Sequence, residues 1–139
     1  MEKWRDCWRR GFLPQMSLEQ LQIGLKACEE DDPELMQCFT VAPSPNFALK
    51  HLPVNAACLT SYLGWKGKGL RNVQEVSHYF AEACHQADVL LGEDAGCRHL
   101  LNFWDDHKRA KVLALMAEEL RENIKERLGK EAVTTKEEG

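Results

Sequence analysis

The residues from Asn72 to Gly92 show the clearest helical pattern in the 139-residue chain, and this pattern constrains the fold more than any other feature. Asn72 is a suitable N-cap, Glu75 stands where its capping-box partner belongs, and Gly92 marks the end of the helix. Apolar residues recur every three or four positions and fall within about 80° of arc on one helix face. The predicted buried stripe consists of Val76, Phe80, Ala83, Ala87 and Leu90.

Two more helices have recognisable starts. Ser17 is an N-cap with Gln20 as its capping-box partner. Asp32 is an N-cap with Pro33 at the first helical position. Further helices are predicted over three stretches, 2–10, 55–64 and from about residue 94.

The last helix is predicted to begin at Asp105 or Asp106 and to end at Gly129. Its apolar residues form a seam wide enough to pack against a neighbouring helix. The seam consists of Leu113, Met116, Leu120, Ile124 and Leu128. The same seam suggests a homodimer through residues 106–128.

No segment alternates between apolar and polar residues in the manner of a strand, and no internal repeat is visible. The sequence therefore predicts an all-α protein, a compact irregular bundle of about six helices. A chain of this length can fold as one domain without disulfides, and the domain is predicted over residues 1–130. Residues 131–139 are predicted to form a frayed C-terminal tail.

The six cysteines are scattered, without the paired spacing of a zinc site or the setting of a small disulfide-rich domain. They are Cys7, Cys28, Cys38, Cys58, Cys84 and Cys97. We expect most of them to be reduced core residues. No apolar run approaches the roughly 20 residues that span a bilayer, and the N-terminus lacks the pattern of a secretory signal. The sequence therefore predicts a cytoplasmic protein that does not cross a membrane.

The net charge of −4 is unevenly distributed along the chain. Residues 17–45 sum to −5 and residues 72–106 to −6, whereas residues 46–71 contain four cations and no acidic residue. Either the blocks neutralise one another in the fold, or the basic block forms a binding face. The overall acidity argues against nucleic acid as the main partner, because binding to phosphates requires a surplus of Lys and Arg on one face.

The tip of the basic block, residues 64–72, is the strongest candidate site in the sequence. Its three glycines would let backbone N–H groups approach a phosphate or carboxylate, and the following helix presents its N-terminus. Lys66, Lys68 and Arg71 add positive charge. Trp65 either anchors this loop or contacts a partner, since Trp is enriched at binding hot spots. The alternative interpretation is a flexible connection whose lysines are solvated.

Trp4 and Trp8 are a second candidate for partner binding. They lie four residues apart and therefore on one side of the first helix. A terminal helix with two tryptophans either docks on its own core or serves as a partner-binding arm.

A third candidate site is a Glu/His cluster on the helix predicted over 73–91. Two Glu-x-x-His units follow one another there, with the spacing used by carboxylate-bridged di-metal bundles. Both units lie on one helix, whereas such sites need them on two, and His78, Glu82 and His85 lie about 180° from the buried stripe and therefore face solvent. These three residues are the candidate metal ligands.

The sequence contains no nucleophile elbow, P-loop, dinucleotide-binding fingerprint or H-E-x-x-H zinc motif. We therefore expect a non-enzymatic protein without a cofactor that binds another protein. It would be a small acidic adaptor, accessory factor or chaperone-like partner of a larger, bacterial assembly. An anion or phosphate sensor using residues 64–72 is the first alternative, and a metal-dependent enzyme using the Glu/His cluster is the second.

Overall fold

The computed structural model describes residues 1–43 and 52–138, with side chains described as far as Glu131. This part of the chain contains six α-helices and one antiparallel pair of short strands. The helices are α1 (Lys3–Cys7), α2 (Leu18–Glu29), α3 (Leu59–Gly67), α4 (Val73–Leu91), α5 (Arg98–Asp106) and α6 (Arg109–Glu138). The strands are β1 (Val41–Pro43) and β2 (Val54–Ala57). The predicted class, a compact and mostly helical bundle in one domain, is confirmed.

The N-terminal segment packs on the core of the protein itself. After α1 the chain makes a π-helical turn over Trp8–Phe12 and a 3-10 turn over Leu13–Gln15. Trp4 stacks on Phe103 of α5, with ring centroids 4.0 Å apart and planes 6° from parallel. The segment therefore closes one side of the bundle.

The predicted N-caps of α2 and α4 are confirmed, and the full capping box forms at the start of α2. The Gln20 N–H donates to Ser17 Oγ over 3.1 Å, and the Ser17 N–H donates in return to Gln20 Oε1 over 2.9 Å. Asn72 Oδ1 accepts the Glu75 N–H over 2.9 Å. Gly92 ends α4 in the left-handed conformation that favours glycine, with φ of 65°.

The predicted stripe of α4 is correct at its centre and wrong at its end. Val76, Ala83 and Ala87 are buried and Phe80 is half-buried, but Leu90 is 40% exposed. The neighbouring Leu91 packs against the core instead.

The helix predicted from Asp32 does not form. Asp32 Oδ1 accepts the Glu34 N–H over 2.9 Å and its second oxygen accepts the Tyr62 hydroxyl over 2.7 Å, so the residue stabilises a turn. The chain then approaches β1 with Cys38 at φ of 73°.

The structure contains two short strands that the sequence does not predict. Val41 pairs with Ala57 and Ala42 with Ala56 in an antiparallel register. Residues 55–57, which the sequence assigns to a helix, therefore belong to β2, and α3 begins only at Leu59.

The predicted boundaries of the last helix are wrong at both ends. Asp105 and Asp106 close α5, and α6 begins at Arg109. At the other end α6 continues through Gly129 to Glu138, since a glycine in an exposed helix costs only about 1 kcal/mol relative to alanine. Residues 131–138, for which the sequence predicts a frayed tail, continue the same helix.

The apolar seam of α6 packs on α2 within the chain. Leu113, Met116 and Leu120 are buried there, whereas Leu128 is 46% exposed. Within the described residues, none of the helices combines the length and apolar character needed to cross a bilayer.

Candidate functional site

The stretch 64–72 is divided between a helix and a short connection. Gly64, Trp65, Lys66 and Gly67 form the last part of α3, so the flexible loop predicted from the glycines is wrong for these four residues. A side chain at Gly64 would overlap the ring of Tyr79, and one at Gly67 would lie 2.5 Å from Cγ of Gln20. These two glycines therefore let α3 pack closely against α4 and α2.

Trp65 and Lys66 are held by neighbouring side chains. The Trp65 ring meets Tyr62 edge to face, with centroids 6.1 Å apart. The Lys66 ammonium lies 3.9 Å from the centroid of Trp65 and 2.6 Å from the carboxylate of Glu34. For Lys66, the interpretation that the charge blocks neutralise one another is confirmed.

The N-terminus of α4 is already occupied by groups of the chain. Asn72 accepts one backbone N–H there, and the carboxylate of Glu75 accepts the Arg71 N–H over 3.3 Å. The Glu75 carboxylate places negative charge at the position where the predicted anion would bind. Arg71 itself is exposed. This geometry gives the anion-sensor alternative no support, and that alternative stays a prediction.

Trp4 and Trp8 lie in the core. Their exposed fractions are 6% and 0%, and their ring N–H groups donate to Glu2 over 2.8 Å and to Asn123 over 2.7 Å. The structure thus favours docking of this segment on its own core over a partner-binding arm.

Sequence reasoning missed a polar cluster inside the bundle, centred on Glu119. Its carboxylate accepts bonds from Arg5 over 2.7 Å, from Arg9 over 2.8 Å and from Asn123 over 2.6 Å. Burial alone would raise the pKa of Glu119, but these bonds hold that pKa below its usual range. We call Glu119, Arg5, Arg9 and Asn123 the internal cluster. The four-residue spacing of Glu119 and Asn123 on α6 is the signal that could have revealed it.

A groove runs along the exposed face of α4. It contains residues of two predicted sites, the basic stretch 64–72 and the Glu/His cluster. Two adjoining depressions of about 430 and 570 Å³ share Gln15, His78 and Glu82. The first also contains Lys68 of the α3–α4 connection, and the second extends to His85. We call this surface the α4 groove. Its remaining lining residues are Leu70, Glu75, Tyr79, Ala81, Ala83 and Gln86.

The Glu/His cluster forms part of this groove. His78 and Glu82 approach to 3.3 Å across one helical turn, and both side chains are about three-quarters exposed. The described residues contain no group of three or more His, Cys, Asp or Glu side chains placed to hold a metal ion. The structure therefore brings His78 and Glu82 together without assembling a metal centre around them.

Five of the six thiols are poor nucleophiles in this fold. Burial raises the pKa of Cys7 to about 11 and that of Cys28 to about 12. It also raises the pKa values of Cys58, Cys84 and Cys97. Cys38 is the exposed member of the set. The five shielded thiols lack the lowered pKa of an activated cysteine.

Comparison with protein families, with curated proteins and with solved structures gives no match for this chain. The interpretation of its surface therefore depends on the geometry described above.

Proposed function

We propose that this protein is a non-enzymatic interaction protein that binds a partner polypeptide along the α4 groove. The observation that carries the proposal is the continuity of the two depressions, which meet at Gln15, His78 and Glu82. A groove that follows a helix has the shape to accept an extended segment of another chain. The role of a small adaptor or accessory factor in a larger assembly follows from such binding.

The groove offers both hydrogen-bond acceptors and donors. Gln15 uses its side-chain N–H₂ on the carbonyls of Gly11 and Ala83, both over 2.9 Å, so its amide can offer a partner only the oxygen. Glu75 and Glu82 add carboxylates, whereas Lys68 provides a cation at one end. This balance favours a polar segment that carries at least one basic residue.

The same geometry supports binding over catalysis. Tyr79 lies in the groove, but its hydroxyl accepts Gln20 Nε2 over 3.0 Å and burial raises its pKa. It is therefore held in a structural hydrogen bond and is not poised to transfer a proton at neutral pH. The raised pKa values of the five shielded thiols argue in the same direction.

We propose a partner of different sequence in place of a homodimer through residues 106–128. Most of the α6 seam is buried against α2, which leaves Leu128 as its exposed member. We also propose the cytoplasm as the location, because reduced thiols are typical of that compartment.

The test is co-purification from native cells followed by a binding measurement. Tagged wild-type protein is compared with His78→Ala/Glu82→Ala, which alters the α4 groove, and with Glu118→Ala/Glu122→Ala, which alters exposed carboxylates of α6. We expect the groove variant to lose a specific partner that the wild type and the α6 variant retain.

Calorimetric titration with the purified partner then measures the loss, for which we expect at least a tenfold rise in Kd. An identical partner list for all three proteins would contradict the proposal, as would equal losses in both variants.

A further inference from the structure

The turn that joins α4 to α5 brings together two thiols that the α4 groove does not use. Cys84 lies on α4, Cys97 directly precedes α5, and both side chains are half-buried. The Cys84 thiol donates a hydrogen bond to the sulfur atom of Cys97. We call these two residues the thiol pair.

Backbone contacts hold the thiol pair in place. Asp88 lies four residues after Cys84 and therefore on the same side of α4, and its Oδ1 accepts the Cys97 N–H over 2.8 Å. From α1, the Cys7 thiol donates to the Gly96 carbonyl over 3.4 Å. Cys97 is thus fixed beside the turn of α4 that carries Cys84.

The neighbouring buried thiols are engaged elsewhere. The Cys7 thiol is bonded to the backbone, and the Cys58 thiol donates to Ser61 Oγ over 3.5 Å. Both of these thiols are buried, whereas the members of the thiol pair are half-buried and therefore more accessible to a small reagent.

The contact between the two sulfur atoms is favourable for a disulfide bond. Such a bond is about 2.05 Å long and forms when the two Cα–Cβ bonds direct the sulfur atoms towards each other. The hydrogen bond between the thiols shows that they point towards each other, so rotation of the side chains can close the remaining gap.

The surroundings of the thiol pair favour a disulfide that is stable but slow to form. Burial raises the pKa of both thiols, so the reduced pair gains no stability from a thiolate. Strongly oxidising disulfides are those whose reduced form is stabilised, and this pair lacks that stabilisation. The low thiolate fraction slows the attack that begins the reaction.

We infer that Cys84 and Cys97 are a site of reversible disulfide formation, with a low-molecular-weight disulfide as the oxidant. One protein thiolate attacks a sulfur atom of the small disulfide, whose S–S bond breaks, and the released thiolate takes up a proton. The other protein thiolate attacks the protein sulfur of this mixed disulfide and releases the second small thiol. Two electrons and two protons pass from the protein thiols to the small disulfide. The product ties α4 covalently to the start of α5.

The test is mass spectrometry of tryptic peptides from the full wild-type chain. Native protein is treated with cystamine, its free thiols are blocked with N-ethylmaleimide, and it is digested without reductant. Trypsin cleaves after Arg71 and Arg98, so residues 72–98 form one peptide that contains the thiol pair and no other cysteine. We expect this peptide to lose the mass of two hydrogen atoms and to regain it after treatment with dithiothreitol.

A second tryptic peptide provides an internal control. Residues 27–50 contain Cys28, which is buried, and Cys38, which is exposed. In urea the two peptides close loops of similar length, so their internal disulfides should form in amounts within about threefold of each other. In the native protein we expect the internal disulfide of 72–98 to exceed that of 27–50 at least about tenfold.

Three results would overturn the inference. The first is a native 72–98 peptide whose two cysteines carry only cysteamine or N-ethylmaleimide. The second is a disulfide that joins this peptide to the one containing Cys7 or Cys58. The third is a native ratio between the two internal disulfides equal to the ratio in urea.

Discussion

The internal cluster and the α4 groove contain similar residue types but differ in what surrounds them. In the internal cluster, Glu119 is fully buried and is bonded to Arg5, Arg9 and Asn123. In the groove, Glu82 has one imidazole at 3.3 Å and is otherwise open to solvent. The first arrangement stabilises the fold, whereas the second leaves polar atoms available to a partner. Burial and satisfied hydrogen bonds distinguish the two roles better than residue type does.

The largest effect is expected from breaking the internal cluster. Replacing Glu119 with alanine leaves two guanidinium groups without their carboxylate in a largely buried site. We expect Glu119→Ala to lower the free energy of unfolding by about 3 kcal/mol, as measured by urea unfolding followed through tryptophan fluorescence.

The adjacent Glu118 provides the matched control, because it is the same residue type on the same helix but is exposed to solvent. Glu118→Ala should change the free energy of unfolding by less than about 0.5 kcal/mol. Equal destabilisation by the two substitutions would show that the bonds of Glu119 to Arg5, Arg9 and Asn123 add nothing to the free energy of unfolding.

A smaller effect is expected from protonating Glu119. Its pKa is lowered in the folded state from the ordinary value of 4.5, so its stabilising contribution is complete above that value. The contribution is lost as pH falls through the folded-state pKa. As pH falls from 4.5 to the folded-state pKa, the wild type should therefore lose more stability than Glu119→Gln, which has no carboxylate to protonate at this position.

The measurement is urea unfolding of both proteins at a series of pH values. Other carboxylates titrate in both proteins, so the difference between the two curves isolates Glu119. Parallel curves would mean that its pKa is not lowered by folding.

The smallest effect on stability is expected in the groove. An exposed pair one helical turn apart contributes only about 0.3–0.5 kcal/mol, so His78→Ala/Glu82→Ala should unfold within about 0.5 kcal/mol of the wild type. Thermal unfolding followed by circular dichroism measures this. A drop of several kcal/mol would place His78 and Glu82 among the structural residues and remove the basis for a groove open to partners.

The sequence predicts those parts of the fold whose signals are local. The N-caps Ser17 and Asn72 each accept the N–H of the residue three positions on, as predicted, and the Ser17 cap is completed as a capping box by Gln20, whereas the Glu75 carboxylate accepts the Arg71 N–H. No helix follows the start signal at Asp32 because the next residues bond to β2: the Met36 N–H donates to the Ala57 carbonyl and the Ala57 N–H donates to the Glu34 carbonyl, both over 2.8 Å. The sequence does not predict the β1–β2 pair for a similar reason, since the hydrogen bonds of the pair join segments that are distant in sequence.

The candidate site is predictable residue by residue but not as an arrangement. Lys68 and the Glu/His cluster stand out in the sequence as separate features, and the fold places them in one groove. Gln15 carries no signal, because its role depends on contacts with Gly11 and Ala83. Gly64 shows the opposite problem: its absence of a side chain suggests a flexible loop until the position of Tyr79 is known.

The unequal burial of the cysteines gives this protein a natural attachment point for a dye. Cys38 is exposed, whereas the other five thiols are buried or half-buried and have raised pKa values. A maleimide fluorophore added to the native protein will therefore attach first at Cys38, without mutagenesis. Since Cys38 lies beside Phe39 and Trp104 at a depression of about 90 Å³, a fluorophore attached there will report on the packing of α5 against the β1–β2 pair.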